Sequence, residues 1–132
     1  MIQNSEVLKA AKSIVAAFGS HDSDAYFAAF HTDATFIFHN TREVLYSKME
    51  YLSLWKVWES QGFHVVSCRS IQPFVHVLSD EIAIFTHSVE TEMKFGDEKL
   101  SSHERETIVF VVFDGKWLAV HEHLSPDPNF SS

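Results

Sequence analysis

The sequence has little of what stabilises or localises several common classes of protein. Its single cysteine, Cys68, excludes an internal disulfide and cannot by itself make a zinc site. Four glycines and three prolines among 132 residues exclude collagen and low-complexity chains. No hydrophobic run approaches the roughly 18 residues that a membrane helix needs, and residues 1–5 lack the basic-then-apolar pattern of a signal peptide. We therefore expect a cytoplasmic protein with no membrane partner.

Basic residues are also scarce. Ten Lys and Arg residues stand against 18 Asp and Glu residues, which gives a formal net charge of −8. Such a charge repels phosphate backbones unless basic residues are concentrated locally, and no basic patch is visible, so nucleic acid is not an expected partner. The 45% of hydrophobic residues predicts one domain over residues 1–132, with residues 125–132 as an extended tail because they contain two prolines.

The first part of the chain is helical in its periodicity. Apolar residues from Val7 to Phe18 recur on one face of a helix, and Gly19 is a natural helix end. Asp22 is a suitable N-cap for a short second helix. A third helix is predicted from Ser47-Lys48-Met49-Glu50, which matches the capping box, to the stop signal at residues 61–62.

The rest of the chain is typical of strands. Segments rich in β-branched and aromatic residues lie between turn signals, of which Asp114-Gly115 is the strongest hairpin signal. The predicted strands cover residues 34–39, 63–71, 74–78, 81–95, 101–113 and 116–124, and residues 31–33 are predicted to form a turn. Three helices with a long antiparallel meander indicate an α+β fold, in which the helices lie on one face of a curved sheet.

A curved sheet with helices across its concave side encloses a cone-shaped cavity, which is the expected ligand site. Twelve Phe, three Trp and three Tyr residues make an aromatic lining plausible, although most aromatic residues simply pack in a core. Trp55 and Trp58 share a helix face with Tyr51, one turn earlier. The predicted lining residues are Phe38, Tyr51, Trp55, Trp58, His87 and Arg105.

Nine histidines are the most unusual feature of the composition. His87 alternates with apolar residues, so it is the histidine most expected to face inward, either for acid–base chemistry or merely bonded to a neighbouring hydroxyl. His121 and His123 share one strand face and Glu122 the other. Two ligands do not make a metal site, so no metal is predicted. Arg105 likewise faces away from the glutamates on either side of it.

Several segments resemble the nuclear transport factor 2-like superfamily, and its SnoaL-like proteins in particular. The resemblance rests on residues 30–36 (FHTDATF), on Glu106-Thr107 and on residues 114–125 (DGKWLAVHEHLS). Residues 72–81 (QPFVHVLSDE) are similar to the association domain of calcium/calmodulin-dependent protein kinase II. The resemblance implies a cone-shaped, strongly curved mixed or antiparallel sheet with three helices. That scaffold carries isomerases, dehydratases, cyclases and assembly modules alike.

The resemblance does not supply a known active site. Phe38 stands where ketosteroid isomerases of the superfamily have a general-base Asp, and Val109 stands near their second acid. Ile108 and Val89 stand where the kinase association domain has pocket arginines, whereas Trp58 falls near its pocket tryptophan. No cofactor is implied.

Three functions follow as hypotheses. The first is a homodimer that binds a small apolar or aromatic molecule in the cone, with no assigned reaction. The second is a cofactor-independent isomerase, dehydratase or cyclase that works by acid–base chemistry. Its weak candidates for catalytic residues are His87, Tyr51, Glu106 and Glu122. The third is an oligomerisation module. Because members of the superfamily commonly pair through the sheet, the predicted dimer interface contains Trp117, His121 and His123.

Overall fold

Three helices and five strands make up residues 2–129, the part of the chain that this computed structural model describes. In chain order they are α1 (Ile2–Gly19), α2 (Ser23–Ala28), β1 (Phe30–Phe38), α3 (Lys48–Ser60), β2 (Phe63–Val77), β3 (Ile82–Phe95), β4 (Glu98–Phe113) and β5 (Lys116–Pro126). Within this range, no helix combines the length and hydropathy that crossing a membrane requires.

The strands form one mixed sheet in the order β1-β5-β4-β3-β2. β1 runs parallel to β5, and the other neighbours are antiparallel. α1 packs mainly against β2, and α3 packs against β1 and β2, so the helices cover one face of the sheet, here called the inner face. The predicted α+β fold with a cone between helices and sheet is confirmed.

Side chains at the predicted helix starts make the expected caps. The Asp22 carboxylate accepts a hydrogen bond from the Ala25 N–H at 3.2 Å, and Ser47 Oγ accepts one from the Glu50 N–H at 3.1 Å. The Glu50 carboxylate reaches back to the Tyr46 N–H at 3.2 Å. Each cap satisfies amide groups that the first helical turn leaves unpaired, which is why local sequence predicts these boundaries.

Two predicted strand boundaries were wrong. β1 begins at Phe30, before the predicted turn at residues 31–33, because Phe30 pairs with Ala119 of β5 and that distant partner keeps the chain extended. The register then shifts before Thr35 pairs with His121. β2 is one strand rather than two, since the register shift between Ile71 and Phe74 is a bulge that accommodates the intervening proline.

A bulge in β5 decides which side chains face the helices. Val109 of β4 pairs with His121, but the next residue, Phe110, pairs with Ala119, so Val120 is an extra residue. Ala119 is completely buried before the bulge, and Glu122 is buried after it. The alternation of faces along β5 is therefore shifted by one residue at this point.

The end of β5 lies closer to the core than predicted. Ser125 and Pro126 belong to the strand, although both fall in the predicted tail. Asp127 is buried, and its N–H donates to the His103 carbonyl at 3.0 Å. The prediction of a tail from residue 125 is therefore wrong for these first residues, because β4 offers them a pairing partner; residues 130–132 of that tail lie outside the described residues.

Candidate functional site

A cavity of about 330 Å³ lies between the helices and the inner face of the sheet. Its walls are mainly apolar, and they include Phe38, Trp58, Phe63, Met93 and Phe95. Asn40, which follows β1, and Gln61, which follows α3, also line the cavity and are exposed. The cavity therefore reaches solvent between these two residues, and we call it the cone.

Three carboxyl groups interrupt the apolar wall. Glu104 and Glu106 reach the cone from β4, and Glu122 reaches it from β5. Glu122 is only 2% exposed. Among residues 2–129, no Lys, Arg or His side chain lines the cone, so its charged groups are all acidic.

Two tyrosine hydroxyls form a hydrogen-bonded chain that ends on Glu122. The Tyr26 hydroxyl donates to Glu122 Oε1 at 3.3 Å and lies 2.9 Å from the Tyr51 hydroxyl. Because a hydroxyl has one hydrogen and Tyr26 gives it to the carboxylate, Tyr51 must donate to Tyr26. Both donors are thus aligned toward Glu122. Burial, followed by the nearby Glu122 charge, raises the pKa of both tyrosines well above the ordinary value, so the hydroxyls keep their protons.

The second oxygen of Glu122 lacks a donor. Glu122 Oε2 is buried and has no hydrogen-bond partner among the described residues. The Glu106 carboxyl is its acidic neighbour, but two ionised carboxylates offer each other only acceptors. A proton or a donor from another molecule is needed to satisfy this oxygen, because a buried unsatisfied acceptor is costly.

Glu106 is held from behind by a histidine. His87 Nε2 lies 2.6 Å from Glu106 Oε1, and His87 Nδ1 lies 2.6 Å from Ser70 Oγ. β3 directs His87 to the inner face, as predicted, where its side chain is completely buried behind Glu106. The neighbouring hydroxyl expected for a structural histidine is present as well. Ser70, His87 and Glu106 thus form a hydrogen-bonded row. Of these three residues only Glu106 lines the cone, so a bound molecule contacts the Glu106 carboxyl.

Burial changes the proton affinity of these groups in opposite directions. Burial and the nearby Glu104 raise the pKa of Glu106 to about 8. Burial and the nearby Glu106 raise the pKa of Glu122 well above its ordinary value. Burial lowers the pKa of His87 to about 4. At neutral pH, the carboxyl pair therefore retains protons while the imidazole behind it is neutral.

The structure brings several of the predicted site residues together. Phe38, Tyr51 and Trp58 line the cone directly. Trp55 lies one layer deeper, 1% exposed, with its ring 6.1 Å from the ring of Tyr51. His87 reaches the cone only through Glu106. The weak catalytic candidates Tyr51, Glu106 and Glu122 all line the same cavity.

Two predicted residues lie elsewhere. Arg105 is exposed on the outer face of β4, because strand alternation turns it away from the inward-facing glutamates on either side. Trp117 lies on the inner side, where it packs against the core and its Nε1–H donates to Glu6 of α1 at 3.4 Å. The β5 bulge separates Trp117 from His121 and His123. Placing Arg105 in the cone, and Trp117 on the same face as the histidines, was therefore wrong.

Sequence reasoning missed Tyr26 and Glu104 in the cone. Tyr26 lies on the buried face of a short helix. A buried tyrosine usually finds a hydrogen-bond partner, so its position in the predicted helix was the available sign of a polar contact in the core. Glu104 Oε2 lies 2.6 Å from His39 Nε2 near the mouth of the cone. Cys68 also lines the cone, and burial raises the pKa of its thiol to about 12.

Both histidines of β5 lie on the outer face of the sheet. His121 Nδ1 lies 2.8 Å from Thr35 Oγ1 of β1, and His123 borders a shallow groove of about 450 Å³ together with Arg105 and Thr107. Within residues 2–129, no group of three or more His, Cys, Asp or Glu side chains is arranged to hold a metal ion.

Comparisons with known proteins agree with this architecture. A family model described as a SnoaL-like domain matches residues 7–128. A nuclear transport factor 2-like protein from Cytophaga hutchinsonii superposes with a TM-score of 0.77 at 15% identity, over 92% of this chain and 95% of that one.

Two similar structures carry the name of a kinase domain. A putative calcium/calmodulin-dependent protein kinase II association domain from Xanthomonas campestris gives a TM-score of 0.78 at 19% identity, over 95% of this chain and 88% of that one. The association domain of that kinase from C. elegans gives 0.70 at 16%, over 92% and 93%. No curated protein matches the sequence significantly. At these identities, the likeness establishes the fold alone.

Proposed function

The chain belongs to the SnoaL-like domain family, and we propose that its cone binds a small molecule that is mainly aromatic or apolar. The observation that carries the proposal is the cavity of about 330 Å³, which is aromatic in its walls and reaches solvent at Asn40 and Gln61. A concave apolar site with a few converging polar groups is the usual form of a small-molecule site.

The polar groups give the site an orientation. Tyr26, Tyr51 and Glu122 meet at one place on an otherwise apolar wall, so a bound molecule places its apolar part among the rings and its polar group against this cluster. Apolar burial supplies most of the affinity, and the polar cluster supplies selectivity.

The methionines provide a direct test of binding. The Met93 side chain lines the cone, whereas Met49 is 69% exposed on α3. Titration with indole, a neutral aromatic probe, should shift the methyl NMR signal of Met93 in a saturable manner and leave that of Met49 unchanged. Equal shifts at both methyls would indicate nonspecific contact and contradict the proposal.

A matched pair of variants locates the binding. Val89 is buried and lines the cone, whereas Val66 is exposed on β2. Val89→Phe should fill the cone and remove the saturable response of Met93 to indole, because the cavity is then occupied by the protein. Val66→Phe adds the same volume outside the cone and should leave binding unchanged. Binding that survives Val89→Phe would place the molecule elsewhere.

A second candidate function, acid–base catalysis, is favoured by one observation. Glu106 lines the cone, His87 Nε2 holds its carboxyl at 2.6 Å, and its pKa of about 8 lies close to neutral pH, so the carboxyl can exchange a proton with a bound molecule. The test is hydrogen exchange next to the carbonyl of 2-tetralone in heavy water. Exchange faster than in buffer, lost in Glu106→Gln and kept in Glu90→Gln on the outer face, supports catalysis; exchange at the buffer rate excludes it for this ketone.

Self-association is the third part of the proposal. His121 and His123 lie on the outer face of the sheet, and the compared structures include association domains of a kinase. We propose a homodimer that uses this face. Sedimentation at micromolar concentration should give the mass of a dimer. A monomer would contradict the proposal, and a larger ring would favour an assembly module.

A further inference from the structure

The charge of the cone indicates the class of its ligand. Glu104, Glu106 and Glu122 line it, and across residues 2–129 no cationic side chain does. Two of the three glutamates have histidine partners at 2.6 Å, His39 for Glu104 and His87 for Glu106. A carboxylate-bearing or phosphate-bearing molecule would be desolvated in this cavity without a cationic partner, so an anion is the least suitable ligand.

Glu122 is the glutamate whose bonding is incomplete. It is 2% exposed, its Oε1 accepts from the Tyr26 hydroxyl at 3.3 Å, and its Oε2 has no partner among the described residues. The Tyr51–Tyr26 chain directs both of its hydrogens toward this carboxylate and so stabilises the ionised form. When Glu122 is ionised, its Oε2 therefore requires a donor, and a cationic donor makes the stronger bond.

We propose that the cone selects a small aromatic amine, and that the protonated amine donates a hydrogen bond to Glu122 Oε2. This inference rests on the proposed binding function and specifies its ligand class. The rings of Phe38, Tyr51 and Trp58 line the same cavity and can add cation–π attraction to an ammonium group within about 6 Å.

Binding of such a cation is coupled to release of a proton. The carboxyl pair of Glu106 and Glu122 retains protons at neutral pH, because burial raises both pKa values, together with the nearby Glu104 for Glu106 and the nearby Glu106 for Glu122. An ammonium group satisfies the same oxygens that the proton satisfies, so the two compete for one place. A neutral ligand needs no such exchange and leaves the protons where they are.

Three probes of matched shape test the ligand class: 2-phenylethylamine, 2-phenylethanol and 3-phenylpropionate. The Met93 methyl signal reports binding of each. The ammonium should bind at least about tenfold more tightly than the alcohol, since charge-assisted hydrogen bonds are roughly twice as strong as neutral ones, and the carboxylate should bind weakest. Calorimetry at neutral pH in two buffers of different ionisation enthalpy should detect proton release with the ammonium and none with the alcohol.

Two variants locate the effect. Glu122→Gln should reduce ammonium affinity by about tenfold and abolish the proton release, while affinity for the alcohol stays within about twofold. Glu90→Gln removes the same charge from the outer face and should change neither affinity. The comparison of probes in the unsubstituted protein stands even if Glu122→Gln fails to fold.

The outcomes separate this inference from the proposed function. If the alcohol binds at Met93 as tightly as the ammonium, the cone binds small molecules but the inference about a cation is wrong. If the carboxylate binds most tightly, the inference is likewise wrong. If none of the probes, and not indole either, shifts Met93, both the inference and the proposed binding function fail.

Discussion

The inner and outer faces of β4 and β5 carry opposite chemistry, although their residues alternate along the same two strands. Glu106 and Glu122 point inward to the cone, whereas Arg105, His121 and His123 lie on the outer face. The net charge of −8 does not predict this separation. Alternation sorts the charges, and burial then gives the inner ones altered proton affinities that solvated carboxyls do not have.

The largest difference between the two faces should be in the free energy of unfolding that is lost when an aromatic ring is removed. Phe110 is completely buried on the inner face, whereas Phe74 is 62% exposed on the outer face. Phe110→Ala should lower the free energy of unfolding by about 3–5 kcal/mol, because it leaves a cavity in the core. Phe74→Ala should change it by about 0.5 kcal/mol or less. Urea denaturation of both variants measures the difference; equal losses would contradict the assignment of faces.

Charge on the inner face should make stability depend on pH. The pKa of Glu106 is about 8 in the folded protein, against 4.5 for a solvated glutamate, so the folded state holds a proton that the unfolded chain loses between these values. Stability should therefore fall as pH rises through this interval, by about 1.4 kcal/mol per pH unit and proton. His87 opposes this trend below pH 6.5, where the unfolded chain binds a proton that the buried imidazole does not, and this opposition fades as the pH rises above 6.5.

The substitution Glu106→Gln tests that dependence, because the amide cannot titrate. Denaturation between pH 6.5 and 8 should show a flatter profile in this variant. Glu90→Gln, on the outer face, removes a carboxylate that pairs with Arg69 at 3.0 Å and should keep the original slope. A slope that Glu106→Gln leaves unchanged would contradict the raised pKa of Glu106.

Serine substitutions on the two faces should show the same contrast, with smaller changes in the free energy of unfolding. Ser70 Oγ lies 2.6 Å from Nδ1 of the buried His87, whereas Ser88 borders the outer groove. Ser70→Ala should cost about 1 kcal/mol, since it leaves a buried imidazole nitrogen unpaired. Ser88→Ala should stay within about 0.5 kcal/mol of the parent. Thermal unfolding distinguishes them, and a neutral Ser70→Ala would show that His87 has another partner.

The smallest effect is expected from the ion pair of the outer face. Arg69 and Glu90 lie 3.0 Å apart, and the Arg69 side chain is 71% exposed. Solvent screens such a pair, so a double-mutant cycle with Arg69→Ala and Glu90→Gln should give a coupling of about 1 kcal/mol or less that weakens with added salt. A larger coupling would mean that this face is covered in solution.

The parts of the fold that local sequence determines could be predicted. Asp22 and Ser47 start helices because their side chains satisfy nearby amides, and Asp114-Gly115 closes a hairpin because both residues adopt positive φ. The start of β1 could not be predicted, since Phe30 is kept extended by Ala119, which lies far away in sequence.

The candidate site depends on contacts that sequence does not display. Tyr26 and Glu122 are 96 positions apart and meet only through the sheet order. Period-two alternation correctly separated Arg105 from the glutamates but gave no indication of which face was inner. It failed for Trp117 because an extra residue, Val120, interrupts the period, and nothing in the local sequence distinguishes that valine from its neighbours.

The bulge at Val120 also determines which side chains of β5 give the cone its chemistry. Because Val120 is the extra residue, its deletion would join Ala119 to His121 and keep Glu122 on the inner face. If Val120 stayed and the bulge were lost, regular alternation from Ala119 would turn Glu122 to solvent and bring the imidazoles of His121 and His123 into the cavity. A scaffold of this kind can reverse the polarity of its interior without replacing any amino acid in it, by gaining or losing a single bulge.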